Sequence, residues 1–512
     1  MSMRVVLAAA ESVPYAKTGG LADVIGGLAP ALAATGCDTS IVLPAHGIID
    51  RAAFGFERLA NVRLEVRVGS RSETAGVLHG RLPGAPAVRV FLLDHPGYFD
   101  RRGIYADPST GGEYDDALER WIFFSRALLA ALPVLGPPPD VLHLNDHHCA
   151  LAAAYRALGA DVPAGFLQQS AIVFGIHNLA YQGVYDAERY GLTGLPATLM
   201  APLGALEFWG RINLMKSALV FADTLVTVSP TYAREIQSTP EQGAGLEGVL
   251  REREHELFGI LNGIDTGAWD PARDPLLPHP FDANHLEGKA ECKSALQRRC
   301  GLAVAPHVAL LGMVSRLVEQ KGLDLVLEAL PQLLALPVQL VVLGRGEPAF
   351  EARLRAAAEQ RPAQLSVHID YDDEMARWIE AGSDFFLMPS RYEPCGLNQM
   401  YSMRYGTIPV VRHTGGLVDT VQDWNGEAGT GFVFTPYTST ALLDAVQRCM
   451  QAFQNAATMR TLVQACMRQD FSWARSAQRV REVYALSVAK RRGGAVGAAS
   501  ARSTAAPGRE GH

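Results

Sequence analysis

Short apolar runs alternate with amphipathic stretches along almost the whole chain. The runs Arg4–Ala10, apart from its first residue, and Ala171–Ile176 are apolar throughout, which is typical of strands buried on both faces of a parallel sheet. The stretches between them, for example Leu21–Thr35, repeat their apolar positions at helical spacing. The other predicted strands are Ser40–Pro44, Val88–Leu93, Val141–Leu144, Thr224–Ser229, Val308–Val314, Val338–Leu343, Leu365–Ile369 and Phe385–Met388. This alternation predicts an α/β protein whose parallel sheets carry helices on both faces.

The pattern breaks once and then restarts. Gly259–Asp265 predicts a strand that enters an Asn-Gly turn, and a Pro-rich connection follows it. We therefore predict a doubly wound domain over residues 1–258 and a second one over residues 259–471. A helix at about residues 472–489 is expected to rejoin the first domain. Residues 490–512 are rich in Gly, Ala, Ser and Arg without an apolar period, and they predict a disordered tail.

Composition narrows the class of protein. Of 512 residues, 48% are hydrophobic and 19% charged, as in an ordinary globular enzyme. The net charge of −7 argues against nucleic acid or an anionic membrane as a partner. The seven cysteines form no C-x-x-C pair, and no apolar run resembles a signal peptide or a membrane span, so we expect a cytoplasmic protein. No residue pattern predicts an oligomeric state.

The stretch Ser390–Thr420 carries two strand–turn–helix breaks and is the first candidate for a binding site. Glu393 and the turn at Gly396-Leu397 follow one apolar run, and Thr414-Gly415-Gly416 follows the next. Backbone N–H groups at a helix start favour anionic oxygens, and a carboxylate accepts hydrogen bonds from vicinal hydroxyls. The pair predicts a ligand that carries both hydroxyls and phosphates. Ordinary βα turns remain the alternative interpretation.

Basic residues follow the ends of two further predicted strands. Arg316 and Lys321 follow the predicted strand Val308–Val314, where a guanidinium and an ammonium can hold a diphosphate. A solvated charged loop is the alternative. Lys17 precedes a glycine turn after the first strand, and the sequence Thr18–Asp23 is echoed at Thr414–Asp419. An ordinary turn with a surface lysine is the alternative there.

Several longer motifs resemble one known family. They are Lys17–Val24, His177–Gly183, Val228–Glu235, Leu261–Asp265, Ser315–Gly322 and Arg391–Leu397. In this order they resemble the bacterial glycogen synthases and plant starch synthases, and the likeness extends from Arg4 to about Ala489. The resemblance implies a retaining glycosyltransferase of the GT-B fold, with two doubly wound Rossmann-like domains that face each other across a deep interdomain cleft.

The resemblance also implies roles for individual residues. It places Glu393, His177, Arg316, Lys321 and Asp146 in the catalytic set. It assigns donor contacts to Lys17, Gly19, Gly20, Asp23, Asn178, Asn262, Tyr371, Cys395, Gly396, Leu397, Thr414, Gly415 and Gly416. Tyr371 is the residue expected to stack on the nucleotide base. His147 departs from the family pattern, which usually has tryptophan at this position.

The implied reaction is transfer of glucose from ADP-glucose to the non-reducing end of an α-1,4-glucan with retention, as in glycogen biosynthesis. UDP-glucose as donor, a sucrose- or trehalose-type transferase, and a catalytically silent glucan-binding protein are the alternatives. No cofactor and no metal are expected. Asp370-Tyr371-Asp372 spells a D-x-D motif, and three histidines cluster at positions 143, 147 and 148. Neither completes a familiar set of metal ligands.

Overall fold

The structure, a computed structural model, describes residues 2–493. The chain divides into two compact units. The first unit is made of the described parts of Met1–Val226, Gly243–Phe258 and Ala477–His512, and the second is made of Thr227–Gln242 and Gly259–Ser476. The segment Thr227–Gln242 thus groups with the second unit, whereas the predicted boundary near residue 258 kept it in the first.

The C-terminal end of the described chain is a helix, Trp473–Arg491. It returns to the first unit, where the Tyr484 hydroxyl lies 2.6 Å from Nδ1 of His143 and the Ser487 hydroxyl lies 2.8 Å from that of Thr224. Lys490 and Arg491, which the sequence placed in the disordered tail, belong to this helix. The remainder of that predicted tail, from residue 494 onward, lies outside the described residues.

The described residues form strands and helices in the following order. The strands are β1 Arg4–Ala8, β2 Asp38–Pro44, β3 Glu57–Arg58, β4 Leu64–Val68, β5 Arg71–Leu82, β6 Ala85–Asp94, β7 Val141–Asn145, β8 Ala171–Ile176, β9 Val184–Asp186, β10 Glu207–Phe208, β11 Arg211–Asn213, β12 Thr224–Thr227, β13 Leu257–Gly259, β14 Ala309–Val314, β15 Val338–Leu343, β16 Leu365–His368, β17 Phe385–Met388, β18 Ile408–Arg412 and β19 Phe432–Phe434. The α-helices are α1 Gly20–Ala34, α2 Pro96–Phe99, α3 Ala117–Leu135, α4 Leu151–Ala157, α5 Leu214–Phe221, α6 Pro230–Glu235, α7 Pro240–Gly243, α8 Glu247–Glu252, α9 Glu287–Arg299, α10 Leu323–Leu333, α11 Pro348–Gln360, α12 Asp373–Gly382, α13 Asn398–Arg404, α14 Gly415–Thr420, α15 Ser439–Phe453, α16 Ala456–Met467 and α17 Trp473–Arg491. None of these helices is long and apolar enough to span a membrane.

The main sheet of the first unit has the strand order β13-β12-β8-β7-β1-β2-β6-β5-β3. Strand β1 pairs in parallel with β2 on one side and with β7 on the other. The order along the sheet therefore reverses between β1 and β7. In sheets of this kind, ligands bind at the carboxyl ends of the strands beside such a switch point.

One edge of this sheet departs from the predicted parallel pattern. Strands β3 and β4 both pair antiparallel with β5, which pairs antiparallel with β6. In β4 the buried residues Leu64, Val66 and Val68 alternate with exposed ones. Such alternation is typical of a sheet with one solvated face, and it differs from the continuous apolar runs of the parallel strands. Our prediction, which searched for continuous runs, missed this edge.

The sheet of the second unit has the order β16-β15-β14-β17-β18-β19, and its pairs are parallel. Its strand order reverses between β14 and β17. The core on the two faces is built from fully buried side chains such as Leu311, Val341 and Phe386. The switch point of this unit thus lies between the strands that precede Arg316 and Glu393.

Candidate active site

Lys321 and Glu393 lie in direct contact in the second unit. The Nζ atom of Lys321 is 2.5 Å from Oε2 of Glu393, and the Ser390 hydroxyl donates to the same oxygen at 3.0 Å. The Glu393 side chain is 7% exposed and that of Lys321 is 19% exposed. A carboxylate so deeply buried is stable only when a cation and hydrogen-bond donors hold it. The pair therefore fixes one ammonium and one carboxylate at the switch point of the sheet.

Arg316 is tied to the same place through Gln320. Its Nη2 atom donates to Oε1 of Gln320 at 3.1 Å. Gln320 in turn donates to the Tyr392 carbonyl at 3.4 Å and accepts from the Arg391 N–H through its own carbonyl at 2.9 Å. These bonds join the loop after β14 to the loop after β17. The loops that carry Arg316, Lys321 and Glu393 therefore come together in one unit.

Gly322 permits this close approach of the two loops. Its φ is +77°, a conformation that other residues adopt at a cost, and a Cβ atom here would lie 2.2 Å from the Pro389 carbonyl oxygen. The residue directly after Lys321 must therefore be a glycine. The next helix, α10, begins at Leu323 immediately after it.

The turn Thr414–Gly416 packs on the backbone of Glu393. The Gly416 N–H donates to the Glu393 carbonyl at 3.0 Å, and a Cβ atom on Gly415 would lie 1.9 Å from that carbonyl oxygen. The Gly415 N–H donates at 2.9 Å to Oε1 of Glu235, which also lies 3.2 Å from the Thr414 hydroxyl. In this structure the amides that we expected to face a phosphate make contacts within the unit.

Cys395 and Asn262 contact each other beside this turn. Burial is the main cause that raises the pKa of the Cys395 thiol to about 12, against hydrogen bonds from the backbone and side chain of Asn262. A thiol with this pKa is not a nucleophile at neutral pH. Gly396 has φ +73°, and Leu397 immediately precedes helix α13.

Tyr371 lies at the end of the loop after β16 and is 73% exposed, so its ring is open to stacking.

The first unit joins Asp146 to the His177-Asn178 segment. Oδ1 of Asp146 accepts from the His177 N–H at 2.9 Å, and the Asn178 N–H donates to the same carboxylate. Asp146 has φ +57° and is 8% exposed. Burial raises the pKa of its carboxyl to about 7, although both backbone bonds lower it. Asp146 follows β7 and His177 follows β8, so their contact results from the adjacency of two parallel strands.

The imidazole of His177 is held in one tautomer. Its Nε2 atom lies 2.8 Å from Oδ1 of Asn145, whose Nδ2 atom donates to the carbonyls of Ala8 and His143. Because the amide nitrogen of Asn145 is used as a donor, its oxygen must accept, and Nε2 of His177 carries the proton. Burial lowers the pKa of His177 to about 4. The ring is therefore neutral at pH 7, with its lone pair on Nδ1.

Lys17 and the Gly19-Gly20 turn follow β1 in the same unit. The Nζ atom of Lys17 lies 2.8 Å from Oδ1 of Asp23, and Gly20 is the first residue of helix α1. The N–H groups of Thr18 and Gly19 both donate to Oε2 of Glu11, the Gly19 bond at 3.2 Å. The predicted residues of this turn therefore surround a carboxylate of the protein itself.

Comparison with known proteins identifies the family. Residues 4–252 match the family described as Starch synthase catalytic domain, and residues 303–460 match Glycosyl transferases group 1. A glycogen synthase of Anaeromyxobacter dehalogenans is 48% identical over 485 residues, 94% of this chain and 98% of the relative. The chain belongs to the glycogen and starch synthase family. A glycogen synthase of Halorhodospira halophila is 47% identical over 494 residues, 96% of this chain and 100% of the relative.

A solved structure agrees with this assignment. The catalytic domain of starch synthase IV from Arabidopsis thaliana, bound to ADP and acarbose, matches with a TM-score of 0.87 at 34% identity. The match covers 96% of this chain and 100% of that chain. The prediction of a glycogen or starch synthase with the GT-B fold and two Rossmann-like domains is confirmed.

Glu11 is a buried carboxylate beside the predicted residues of the first unit, and the sequence analysis did not single it out. It is 2% exposed, hydrogen bonds Tyr105 and lies close enough to Asp146 to raise the pKa of that carboxyl. Burial, the largest cause, raises the pKa of Glu11 itself to about 7. Its position was a usable signal, because it stands directly after the apolar run of a central strand. Asn145, Ser390 and Glu235 act through neighbouring residues and gave no such signal.

The D-x-D motif has a structural explanation in this family member. Asp372 caps helix α12 by accepting from the Met375 N–H at 2.9 Å, and Asp370 accepts from the Tyr371 N–H at 2.8 Å. Each carboxylate thus has a local backbone partner.

The three histidines at positions 143, 147 and 148 contact different residues. His143 bonds Tyr484, His147 lies 2.9 Å from the Tyr181 carbonyl, and the His148 ring stacks on Tyr105. Within residues 2–493, no group of three or more His, Cys, Asp or Glu residues has the arrangement of a metal site.

Proposed function

We propose that this chain transfers glucose from ADP-glucose to the non-reducing end of an α-1,4-glucan and retains the configuration at the anomeric carbon. Family membership supports the class of reaction. The choice of ADP as nucleotide is supported by the Arabidopsis thaliana starch synthase IV, whose solved structure carries ADP and acarbose. We propose no cofactor besides this nucleotide-sugar substrate.

The observation that carries the proposal is the contact between Lys321 and Glu393. Cleavage of a sugar–diphosphate bond leaves negative charge on the departing oxygens, and fixed cations aimed at those oxygens lower the barrier. Lys321 supplies a compact ammonium, and Arg316, whose Nη2 atom donates to Oε1 of Gln320, supplies a planar guanidinium. We assign both to the diphosphate.

Glu393 is assigned to the donor glucose. Lys321 and Ser390 both contact Oε2, so the carboxylate is fixed in one orientation before substrate arrives. We assign Oε1 to a sugar hydroxyl. A preorganised acceptor of this kind costs no reorganisation during the reaction.

The residues of the first unit are assigned to the sugar and the acceptor. Asp146 bonds the N–H groups of His177 and Asn178, which leaves the His177 carbonyl and the neutral ring as dipoles of fixed direction. Such dipoles can stabilise positive charge that develops at the anomeric carbon. Because Glu393 is paired with Lys321, we propose same-face substitution, in which the leaving phosphate oxygen takes the proton of the incoming 4-hydroxyl.

Parallel rate measurements with ADP-glucose and UDP-glucose, with glycogen as acceptor, test the donor. We expect a kcat/KM at least tenfold higher with ADP-glucose. Equal or reversed rates would contradict the ADP assignment alone. Transfer to fructose or glucose 6-phosphate instead of glycogen would identify a sucrose- or trehalose-type enzyme, and no transfer to any acceptor would identify a silent glucan-binding protein. Digestion of the product by an enzyme specific for α-1,4 linkages checks retention.

A further inference from the structure

Trp209 is an exposed aromatic residue to which the reaction assigns no role. Its side chain is 83% exposed, more than that of Tyr371, and it stands at the tip of the hairpin formed by β10 and β11. Apolar side chains that are exposed singly are common on protein surfaces, so the exposure of Trp209 alone assigns it no role.

The turn that presents Trp209 is strained. Trp209 has φ +52° and Gly210 has φ +75°, so both central residues of the two-residue turn are left-handed. Turns of this type strongly favour Asn-Gly, because bulky residues adopt a positive φ only at a cost. A tryptophan in this position keeps a costly conformation and an exposed ring together. Strain of this kind clusters at functional sites.

The hairpin holds the indole in a defined place. Glu207 pairs with Ile212 and Phe208 pairs with Arg211, and the Gly210 N–H donates to the Glu207 carboxylate at 3.0 Å. On the other side lies Gly245. A Cβ atom there would come within 2.9 Å of the Phe208 ring and 3.4 Å of the Trp209 indole nitrogen. The absence of a side chain at position 245 lets both rings lie against the backbone.

The charges on the hairpin and its direct partners are balanced. Arg211 pairs with Asp186 at 3.2 Å, and the Nζ atom of Lys216 donates to the carbonyl of Glu207, whose carboxylate bonds the turn. The hairpin and its direct partners therefore carry two acidic and two basic side chains. This balance suits an uncharged ligand that has apolar faces and hydroxyl edges, and it offers no attraction to a nucleotide or an anionic membrane.

We propose that Trp209 is a stacking platform for glucose units of the glucan polymer, separate from the residues assigned to the reaction. The inference rests on the proposed function, whose acceptor is a long neutral chain. The flat indole covers the apolar face of a pyranose ring, and the polar groups beside it can bond the hydroxyls. A second point of attachment keeps many chain ends near the enzyme, which raises their effective concentration.

The experiment measures glycogen binding without donor, by affinity electrophoresis of wild type, Trp209→Asn and Leu203→Asn. Leu203 is a matched control, since it is 93% exposed and has φ +66°. We expect Trp209→Asn to weaken glycogen binding at least fivefold and to raise KM for glycogen more than KM for maltotriose. We expect Leu203→Asn to bind glycogen like the wild type. Trp209→Phe should retain most of the affinity, because a flat ring remains.

Unchanged glycogen binding by Trp209→Asn would overturn the platform. So would an equal loss in Leu203→Asn, because surface apolarity alone would then explain binding. Dissociation of an oligomer by Trp209→Asn with unaltered glycogen affinity would overturn it in favour of a second copy of the chain. A wild type that binds glycogen through Trp209 but transfers no glucose would refute the proposed function and leave the platform standing.

Discussion

Glu11 accepts a hydrogen bond from the Gly19 N–H at 3.2 Å, in the glycine turn that opens helix α1. The second unit repeats this relationship, because Glu235 accepts from the Gly415 N–H at 2.9 Å in the turn that opens α14. Both turns belong to the echoed sequence Thr-Gly-Gly-Leu. A glutamate from the same unit thus lies at the positive end of each helix, where an anion is favoured. The two turns therefore share a hydrogen-bonding arrangement as well as a sequence.

Glu11→Gln is expected to change the pH dependence of stability. The pKa of Glu11 is raised from 4.5 to about 7 in the folded state, so the native protein binds a proton that the unfolded chain has already lost between these values. The contribution of Glu11 to stability is therefore fully present below pH 4.5 and is lost as the pH rises to about 7, on the order of 3 kcal/mol.

Chemical denaturation of wild type and Glu11→Gln at pH 5, 6, 7 and 8 measures this effect. The difference in free energy of unfolding between the two proteins should shift in favour of the glutamine variant from pH 5 to pH 7 and level off above. A difference that is constant over this range would show that Glu11 is ionised at pH 5.

Lys321→Ala and Glu393→Gln are each expected to lower turnover by more than tenfold, which is at least ~1.4 kcal/mol in the barrier. The first removes the cation assigned to the diphosphate and the second removes the carboxylate charge that holds it. Arg448→Ala is a matched control, because it breaks an ion pair of the same unit, with Asp423 at 2.6 Å, away from the site. Steady-state rates, with thermal unfolding as a check on folding, measure the effect. Rates near wild type in either variant would mean that the site is misassigned.

Much of the fold could be predicted from the amino-acid sequence. The strands Ala171–Ile176, Val338–Leu343 and Phe385–Met388 have the predicted bounds, because short, largely apolar runs are typical of strands buried on both faces of a sheet. The edge strands β3 to β5 and the hairpin β10–β11 were not predicted. Their short or alternating patterns depend on which face meets solvent, and that depends on the tertiary fold.

The candidate site shows the same limit. Lys321 and Glu393 were named from strand ends and family motifs, but their contact joins positions 72 residues apart and depends on β14 lying beside β17. The tautomer of His177 depends on Asn145, whose amide is oriented by two backbone carbonyls. The sequence around each residue does not identify such long-range partners, and only the three-dimensional structure shows them.

Gly415→Ala is expected to impair both stability and turnover. The new Cβ atom would lie 1.9 Å from the Glu393 carbonyl oxygen, and φ at this position is +46°, so the turn must move away from the Glu393 backbone. Strain of this type costs about 1–3 kcal/mol. Gly426→Ala is a control, because it also has a positive φ but no atom within 4 Å of the added Cβ. Turnover per folded molecule should fall only in Gly415→Ala, and equal rates in the two variants would contradict this account.

Chelation is expected to leave activity unchanged. Asp372 is engaged as a helix cap, and we assign to Arg316 and Lys321 the positive charge that a metal ion otherwise provides. Glucose transfer measured after dialysis against EDTA, and again after addition of Mg²⁺ or Mn²⁺, should differ by less than twofold. A loss of more than tenfold that Mg²⁺ restores would mean that a metal ion holds the diphosphate.

Trp209→Asn is expected to stabilise the first unit. Asparagine adopts the left-handed conformation more readily than tryptophan, and Asn-Gly is the favoured pair for a two-residue turn in which both φ angles are positive. The relief is about 1 kcal/mol, or a rise in the melting temperature of roughly 2 °C for a unit of this size. Differential scanning calorimetry of wild type, Trp209→Asn and Trp209→Ala separates the backbone effect from loss of the ring. A lower melting temperature in Trp209→Asn would mean that the packing of the indole over Gly245 outweighs the strain, and the ring would then have a structural reason to be there.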